Sequence, residues 1–316
     1  MSQTKDYLFT EKEIKKEIMS TDVYILISSD IYSKSEMDED IEHCFDMFRA
    51  FEQKFSRFIP DSELSKFNKG LITSIDDDFD QMIATAQKWQ IKTQGLFDIG
   101  ILPILENEGY TKNIDDIKSK PITEQNIKLK KFQSIKHLTK NTDTGQYSKP
   151  KDLQIDLGGI GKGFIVDKVS KWLHEKYTNF VVDAGGDIFF AGENKIAKYN
   201  YWESYIENPK TESGSIQTLK LKNKGVATSG INRRNWIKSN ETKHHIINPQ
   251  TQLSAETDLI AVTVIADSAS QADILAKSLI IMGSKNGIEY AKLNHIPAFF
   301  IKKDFKVEKV NFSQYI

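Results

Sequence analysis

The stretch that decides the fold is Asp156-Leu-Gly-Gly-Ile-Gly-Lys-Gly163, in which four glycines occur within six positions. Before and into it, Leu153, Ile155 and Leu157 alternate with polar residues, a pattern that predicts a half-buried strand. After it, apolar residues recur at helical spacing to about residue 177, which predicts a helix. A glycine turn between a strand and a helix directs backbone N–H groups toward the space over the helix start, which suits a phosphate group.

Two side chains in this stretch add chemistry to the turn. Lys162 supplies a cation, and Asp156 supplies an acceptor at the end of the predicted strand. Glycines also allow a strand and a helix to pack closely without any ligand. The glycine pattern alone therefore leaves phosphate binding and close packing both open.

Composition and charge exclude several classes of protein. The chain has 316 residues, of which 39% are hydrophobic and 28% charged, as in ordinary globular proteins. The net charge of −1 gives no field that favours nucleic acid or an acidic membrane. Cys44 is the single cysteine, so no intrachain disulfide can form.

No feature of the sequence indicates a membrane span or an export signal. Apolar runs are too short to cross a bilayer, and the first residues lack the apolar core of a signal peptide. We therefore expect a cytoplasmic protein from the chain as it stands. If a leader has been removed, a periplasmic or other extracytoplasmic location is expected instead.

The remaining pattern alternates between strand and helix signals and predicts an α+β fold, with mixed sheets flanked by helices. Residues 21–28 are rich in β-formers, and residues 37–55 carry apolar side chains at helical spacing. Residues 106–151 are polar and lysine-rich, which predicts a solvated insertion with a surface helix near 121–131 and a polar hairpin after it. We expect an N-terminal extension at 1–18 and one compact domain at 19–316.

Several polar residues are candidates for chemistry, and each also has an ordinary structural explanation. His245 lies in a predicted loop, where most histidines are only surface residues. Asp273 and Lys277 share a helix face, as an ordinary ion pair would. Asp98 suits a turn cap as well as a ligand contact. Ser229 lies in no Gly-x-Ser-x-Gly elbow, which argues against a serine hydrolase.

Taken together and in order, these segments resemble one family, the ApbE flavin transferases, also called FAD:protein FMN transferases. Many motifs in one order are far more specific than any single motif. The resemblance covers about residues 19–301 and rests on Met19-Ser-Thr21, the segment from Phe55 to Asn68, Leu96-Phe-Asp98, Asp156 to Gly163, Gly185-Gly-Asp187, Thr228-Ser-Gly230, His245-Ile-Ile-Asn-Pro249, and Ala272-Asp273 to Gly283.

The resemblance implies a reaction and the partners that it needs. Members of this family bind FAD and a divalent cation, usually Mg²⁺. They transfer FMN to a Thr or Ser hydroxyl of an acceptor protein and release AMP. The acceptor is a separate protein, so this sequence does not identify it.

The resemblance also implies roles for individual residues. His245 would be the base that activates the acceptor hydroxyl, and Lys162 would neutralise phosphoryl charge. The Gly159 carbonyl and the Asp273 carboxylate would hold the metal, with Lys277 at a third ligand position. The FAD site would consist of Met19, Phe58, Leu96, Phe97, Asp98, Asp156, Lys162, Ser229 and Ile246.

Four positions depart from the family pattern. Lys277 replaces the threonine that is usually a metal ligand, and a protonated ammonium cannot be a ligand. Asn248 replaces an aspartate, Gln252 a glycine, and Phe58 stands where tyrosine is common. Magnesium binding is therefore expected to be weakened or absent. Three hypotheses stay open: an active transferase, an FAD-binding relative without transfer activity, and an FAD pyrophosphatase that uses water.

Overall fold

The computed structural model describes residues 9–112, 117, 129–211, 214–232 and 234–316. Its central element is an eight-stranded sheet in which every neighbouring pair is antiparallel. In spatial order the strands are β1 (Thr10–Ile18), β2 (Thr21–Ser29), β5 (Asn179–Ala184), β6 (Asp187–Ala191), β9 (Lys224–Gly230), β14 (Leu259–Ala266), β15 (Ala298–Lys302) and β16 (Val307–Val310).

Four two-stranded ladders complete the strands of the described residues. They are formed by β3 (Thr139–Lys140) with β4 (Tyr147–Ser148), β7 (Trp202–Glu207) with β8 (Ser215–Leu221), β10 (Asn235–Lys238) with β11 (Glu241–His244), and β12 (Ile247–Asn248) with β13 (Leu253–Ser254). The β3–β4 pair is the polar hairpin that the sequence predicts.

Helices cover one face of the large sheet and bury most of the core there. The opposite face packs against the β7–β8 ladder through Trp202, Leu219 and Leu221. This arrangement confirms the predicted α+β class. The helices are α1 (Lys34–Phe55), α2 (Glu63–Asn68), α3 (Asp77–Lys92), α4 (Leu102–Asn107), α5 (Gly161–Leu173) and α6 (Ala269–Leu293), with short 3-10 turns at Ile99–Ile101, Ile135–His137 and Ser313–Tyr315.

None of the helices in the described ranges is long and apolar enough to cross a lipid bilayer.

The segment before residue 19, expected to be an extension, contains the edge strand β1 of the large sheet. β1 joins β2 through a two-residue turn in which Met19 and Ser20 have φ of +60° and +53°. Positive φ at both central residues is typical of a type I′ hairpin turn. The predicted domain boundary therefore falls inside a hairpin, while residues 1–8 lie outside the described part of the chain.

The strand predicted at residues 153–157 is wrong, although its apolar side chains are buried. Its backbone bonds to the Asn68 side chain and to the Ile99 carbonyl, which accepts the Asp156 N–H at 2.8 Å, and it joins no sheet. The Asn68 amide donates to the Ile155 carbonyl at 2.8 Å, and the Ile155 N–H donates to Asn68 Oδ1 at 2.7 Å. The predicted helix after the glycines is confirmed as α5.

The polar segment at 106–151 differs from a solvated insertion where the structure describes it. Ile135, Leu138 and Tyr147 are buried in the main core. Residues 121–128 of the expected surface helix lie outside the described residues, and residues 129–131 are not helical. The segment is therefore anchored to the domain at both described ends.

The glycine-rich stretch brings α5 and α6 into close contact. A Cβ on Gly163 would lie 2.5 Å from Ser270 Cα and 2.6 Å from Ser270 N, closer than packed atoms allow. The Asp167 carboxylate then accepts hydrogen bonds from the Ala269 and Ser270 N–H groups at 2.7 and 3.0 Å. Close packing of two helices, one of the two explanations for these glycines, therefore accounts for Gly163.

We expect Gly163→Ala to lower the free energy of unfolding by about 2 kcal/mol, because the added methyl must push the two helices apart. Urea denaturation measures this change. Gly161→Ala is the matched control on the same helix, since its Cβ would meet Phe51 Cε1 at an ordinary 3.5 Å. Equal unfolding midpoints for both variants would contradict the packing argument.

Candidate active site

One cavity collects most of the residues that the motifs single out. It is bordered by the β1–β2 turn, the segments after α1 and α3, the glycine turn before α5, the segment after β11, and α6. Residues from distant parts of the chain meet here because the turns and helices that carry them border the same cavity. The candidate residues that line the cavity are Met19, Phe58, Leu96, Phe97, Asp98, Asp156, Gly159, Lys162, His245, Ile246 and Lys277.

Ser229, predicted for the FAD site, is not among the residues that line this cavity. Ser229 lies within β9 and is 5% exposed. Strand side chains alternate with a period of two, so Ser229 shares the face of Ala227, which packs in the α6 core. Ser229 itself therefore takes part in the packing of the sheet against the helix.

Asp98 lines the cavity, but other groups already use both of its carboxylate oxygens. Oδ1 accepts the N–H groups of Gly100 and Ile135 at 2.7 and 3.0 Å, and Oδ2 accepts the Ser134 hydroxyl at 2.5 Å. Burial nevertheless raises the pKa of Asp98, while these hydrogen bonds act to lower it. The carboxylate holds the local turn together, as the capping explanation of this residue expects.

Arg57 is a site residue that the sequence analysis missed. Its Nε lies 2.8 Å from Asp156 Oδ2, and one terminal nitrogen donates to the Tyr110 carbonyl at 2.9 Å. The guanidinium carbon lies 4.3 Å from the Phe58 ring centre and 4.7 Å from that of Tyr110. The sequence did contain a signal for Arg57, because it lies between Phe55 and Phe58 in one of the motif segments. Tyr110 gave no such signal, because it lies in the polar segment at 106–151.

The glycine turn offers fewer free N–H groups than its sequence predicts. The Gly158 N–H donates to Asp156 Oδ1 at 2.8 Å. The N–H groups of Ile160 and Gly161 donate to the Leu157 carbonyl at 3.0 and 2.7 Å. Asp156 thus braces the turn and pairs with Arg57, and much of the positive charge at the cavity comes from side chains.

In two ion pairs the lysine lines the cavity and the buried carboxylate lies behind it. Lys162 Nζ lies 2.8 Å from Asp187 Oδ2, and Lys277 Nζ pairs with Asp273 Oδ1. Asp273 is 1% exposed and does not itself line the cavity, so Lys277 lies between it and the open space. Burial raises the pKa of Asp273 and the charge of Asp187 raises it further, while the two lysines oppose that shift.

Gly159, Asp273 and Lys277, the three proposed metal positions, do lie together. A Cβ on Gly159 would lie 3.6 Å from Lys277 Cδ, so the lysine chain passes beside the turn. Asp273 Oδ2 is buried and has no hydrogen-bond partner among the described residues, which suits a cation. Asp273 Oδ1 is already paired with the Lys277 ammonium. Within the described residues, no group of three or more His, Cys, Asp or Glu side chains could hold a metal.

His245 is held in one tautomer by the backbone. Its Nδ1 lies 3.2 Å from the Arg234 carbonyl oxygen, which can only accept. Nδ1 therefore carries the proton, and Nε2 keeps a free lone pair. Burial holds the pKa of His245 well below its usual value, and the nearby charges of Arg234 and Lys277 lower it further. A neutral imidazole with a free Nε2 is suited to accept a proton.

Glu108 supports the segment between β11 and β12 that carries His245, and it too was missed because it lies in the polar segment. Its buried carboxylate accepts the Ser254 N–H and hydroxyl at 3.1 and 3.0 Å. The Glu108 carbonyl accepts Trp236 Nε1 at 2.8 Å. The Ser254 hydroxyl also contacts the His244 carbonyl at 3.0 Å, directly before His245. These bonds connect the end of α4 to Trp236 in β10, before His245, and to Ser254 in β13, after it.

The departures at Asn248 and Gln252 have a local explanation. Asn248 Oδ1 accepts the Gln250 N–H at 2.9 Å and so caps the turn after His245. Gln252 has a φ of +58°, in the left-handed region that favours glycine. The glycine of the family pattern suits this backbone better, and here glutamine adopts it at some cost in strain.

Comparison with family models matches residues 19–300 to the ApbE family. The chain belongs to the ApbE family. The match begins at Met19 in the β1–β2 turn and ends within β15, so it includes the whole cavity.

Relatives named FAD:protein FMN transferase support this membership. The protein of that name from Haemophilus influenzae is 30% identical over 258 residues, which are 78% of this chain and 74% of the relative. The one from Escherichia coli K12 is 25% identical over 283 residues, which are 87% of this chain and 79% of the relative.

Solved ApbE structures share the fold. The ApbE protein from Thermotoga maritima superposes with a TM-score of 0.81 at 23% identity, covering 96% of this chain and 98% of that one. The flavin transferase ApbE from Vibrio cholerae gives a TM-score of 0.79 at 23% identity, covering 98% and 100% of the two chains.

Proposed function

We propose that this ApbE protein transfers FMN from FAD to a Thr or Ser hydroxyl of an acceptor protein and releases AMP. The relatives named FAD:protein FMN transferase support this proposal. The observation that carries it is a neutral, tautomer-fixed His245 that faces the same cavity as Lys162 and Lys277.

The chemistry that these residues would perform is a phosphoryl-type transfer. The acceptor hydroxyl oxygen forms a bond to the FMN-side phosphorus, and the bond from that phosphorus to AMP breaks. His245 Nε2 takes the hydroxyl proton, because an alcohol is a weak nucleophile without a base. Lys162 and Lys277 stabilise negative charge on the phosphate oxygens.

Mg²⁺ fits this site only in part. When bound, the ion would neutralise phosphate charge. Asp273 Oδ2 and the Gly159 carbonyl are suitable oxygen donors, but the Lys277 ammonium already pairs with the Asp273 carboxylate. We propose that Lys277 weakens Mg²⁺ binding at this position and supplies positive charge in its place.

We expect the protein to bind FAD at least about tenfold more tightly than FMN or riboflavin, because the positively charged side chains that line the cavity favour a pyrophosphate. Isothermal titration calorimetry with each ligand measures the three affinities without any acceptor. Equal affinity for FAD and riboflavin would contradict a site built around the pyrophosphate.

Incubation with FAD, Mg²⁺ and a flavin-acceptor protein tests the transfer itself. In-gel flavin fluorescence reports FMN on the acceptor, and chromatography reports AMP. The Lys277–Asp273 pair gives a specific reason to consider a protein without transfer activity. FAD binding with neither product would indicate such a relative. AMP and free FMN without a fluorescent acceptor would indicate an FAD pyrophosphatase.

A further inference from the structure

Arg234 differs from the other basic side chains that line the cavity. Arg57 pairs with Asp156, Lys162 with Asp187, and Lys277 with Asp273. Arg234 also lines the cavity and is half-buried. Within the part of the chain that the structure describes, no carboxylate lies within ion-pairing distance of its guanidinium. Among the described residues, each of the other three cations is thus offset by an anion and Arg234 is not, so its charge is available to a ligand.

The position of Arg234 places this charge beside the candidate base. Its carbonyl accepts the His245 backbone N–H at 3.3 Å and lies 3.2 Å from His245 Nδ1. Its positive charge also contributes to the lowered pKa of His245, next after burial. The guanidinium and the imidazole therefore act on the same region of the cavity.

A half-buried cation without a carboxylate partner loses hydration, and an anionic ligand compensates for that loss and for the unpaired charge. A guanidinium presents several N–H donors in a planar fork that matches two oxygens of a phosphate group. The substrate of the proposed reaction carries two phosphates, and one of them must lie close to the base during transfer.

We propose that Arg234 binds the pyrophosphate of FAD, at the phosphate that the acceptor hydroxyl attacks. This assignment rests on the proposed function. The new bond joins the acceptor oxygen to the FMN phosphorus, the bond to AMP breaks, and the hydroxyl proton goes to His245 Nε2. Arg234 exchanges no proton and donates hydrogen bonds to the phosphate oxygens throughout.

The test compares Arg234→Gln, Arg234→Lys and wild type by calorimetry with FAD and with riboflavin, in the absence of acceptor. We expect Arg234→Gln to weaken FAD binding roughly 10- to 100-fold, the usual range for a lost charge-assisted hydrogen bond. Riboflavin lacks phosphate, so its affinity should stay unchanged. Arg234→Lys should recover part of the loss, since it keeps the charge without the fork.

Arg49→Gln is the matched control. Arg49 is exposed on α1, pairs with Asp46 and does not line the cavity, so its variant should bind both ligands as wild type does. An Arg234→Gln protein with normal FAD affinity would overturn the assignment. A raised KM for the acceptor in that protein would show that the guanidinium serves an acceptor carboxylate instead.

Two further outcomes separate this inference from the proposed function. Equal losses of FAD and riboflavin affinity in Arg234→Gln would overturn a role at the phosphate, because riboflavin cannot sense that contact. A wild-type protein that binds no FAD would overturn the proposed function and this assignment together. If wild type binds FAD and transfers FMN, and Arg234→Gln does both equally well, only the assignment of Arg234 is overturned.

Discussion

Replacing His245 by alanine is expected to slow FMN transfer roughly 100- to 10,000-fold, the usual contribution of a positioned general base. FAD affinity should change by no more than about twofold, because a base acts on the reaction and not on ground-state binding. Single-turnover flavinylation followed by in-gel fluorescence measures the rate, and calorimetry measures the affinity. A variant that transfers FMN at the wild-type rate would remove His245 from the mechanism.

The pH profile provides a second check on His245. Its pKa lies well below the usual 6.5, so the imidazole stays neutral at pH 6.5 and becomes protonated only at lower pH. The transfer rate should therefore persist through pH 6.5 and fall only in more acidic solution. His137→Ala is the matched control, since His137 is exposed on a 3-10 turn and does not line the cavity.

Replacing Lys277 by threonine is expected to tighten Mg²⁺ binding about a hundredfold or more. Two unit charges 4 Å apart interact by about 4 kcal/mol near a protein surface, and a dication doubles that repulsion. Removing the ammonium ends the repulsion, frees Asp273 Oδ1, and adds a hydroxyl oxygen at the same helix position. Calorimetry with Mg²⁺ alone measures the affinity, and we also expect faster transfer at saturating Mg²⁺.

Lys277→Met separates the two contributions, because methionine removes the charge without adding an oxygen ligand. It should recover only part of the gain in Mg²⁺ affinity. Without Mg²⁺, both variants should unfold at a lower temperature than wild type, because Asp273 is buried and loses its cation. If wild type already saturates at low Mg²⁺ and the threonine variant gains nothing, Lys277 is a bystander.

Features that depend on neighbouring residues could be predicted from the sequence. The Ser268 side chain caps α6 by accepting the Gln271 N–H, and the glycine pair Gly185-Gly186 connects β5 to β6 with positive φ. The order of motifs also predicted which segments would meet at one cavity. Caps, turns and helical periods require contacts within a few residues, so the local sequence already contains them.

Features that depend on distant residues were decided by the tertiary structure alone. Asn68 takes the place of a partner strand for Ile155 across 87 positions of sequence, so the period-two pattern formed no strand. The register of β9 decides that Ser229 lies on the face of Ala227, toward the α6 core.

The electrostatics of the site could not be predicted from the sequence for the same reason. From the sequence, Asp273 could form an ordinary ion pair with Lys277 or hold a metal. The structure shows that the pair is buried, so the Lys277 ammonium occupies the carboxylate that a metal would need. The lowered pKa of His245 arises from desolvation and from two cations on other segments. Sequence patterns predicted elements whose contacts are local, such as the helix after the glycines. Burial and charge depend on which elements pack together, and that is settled only when the whole chain has folded.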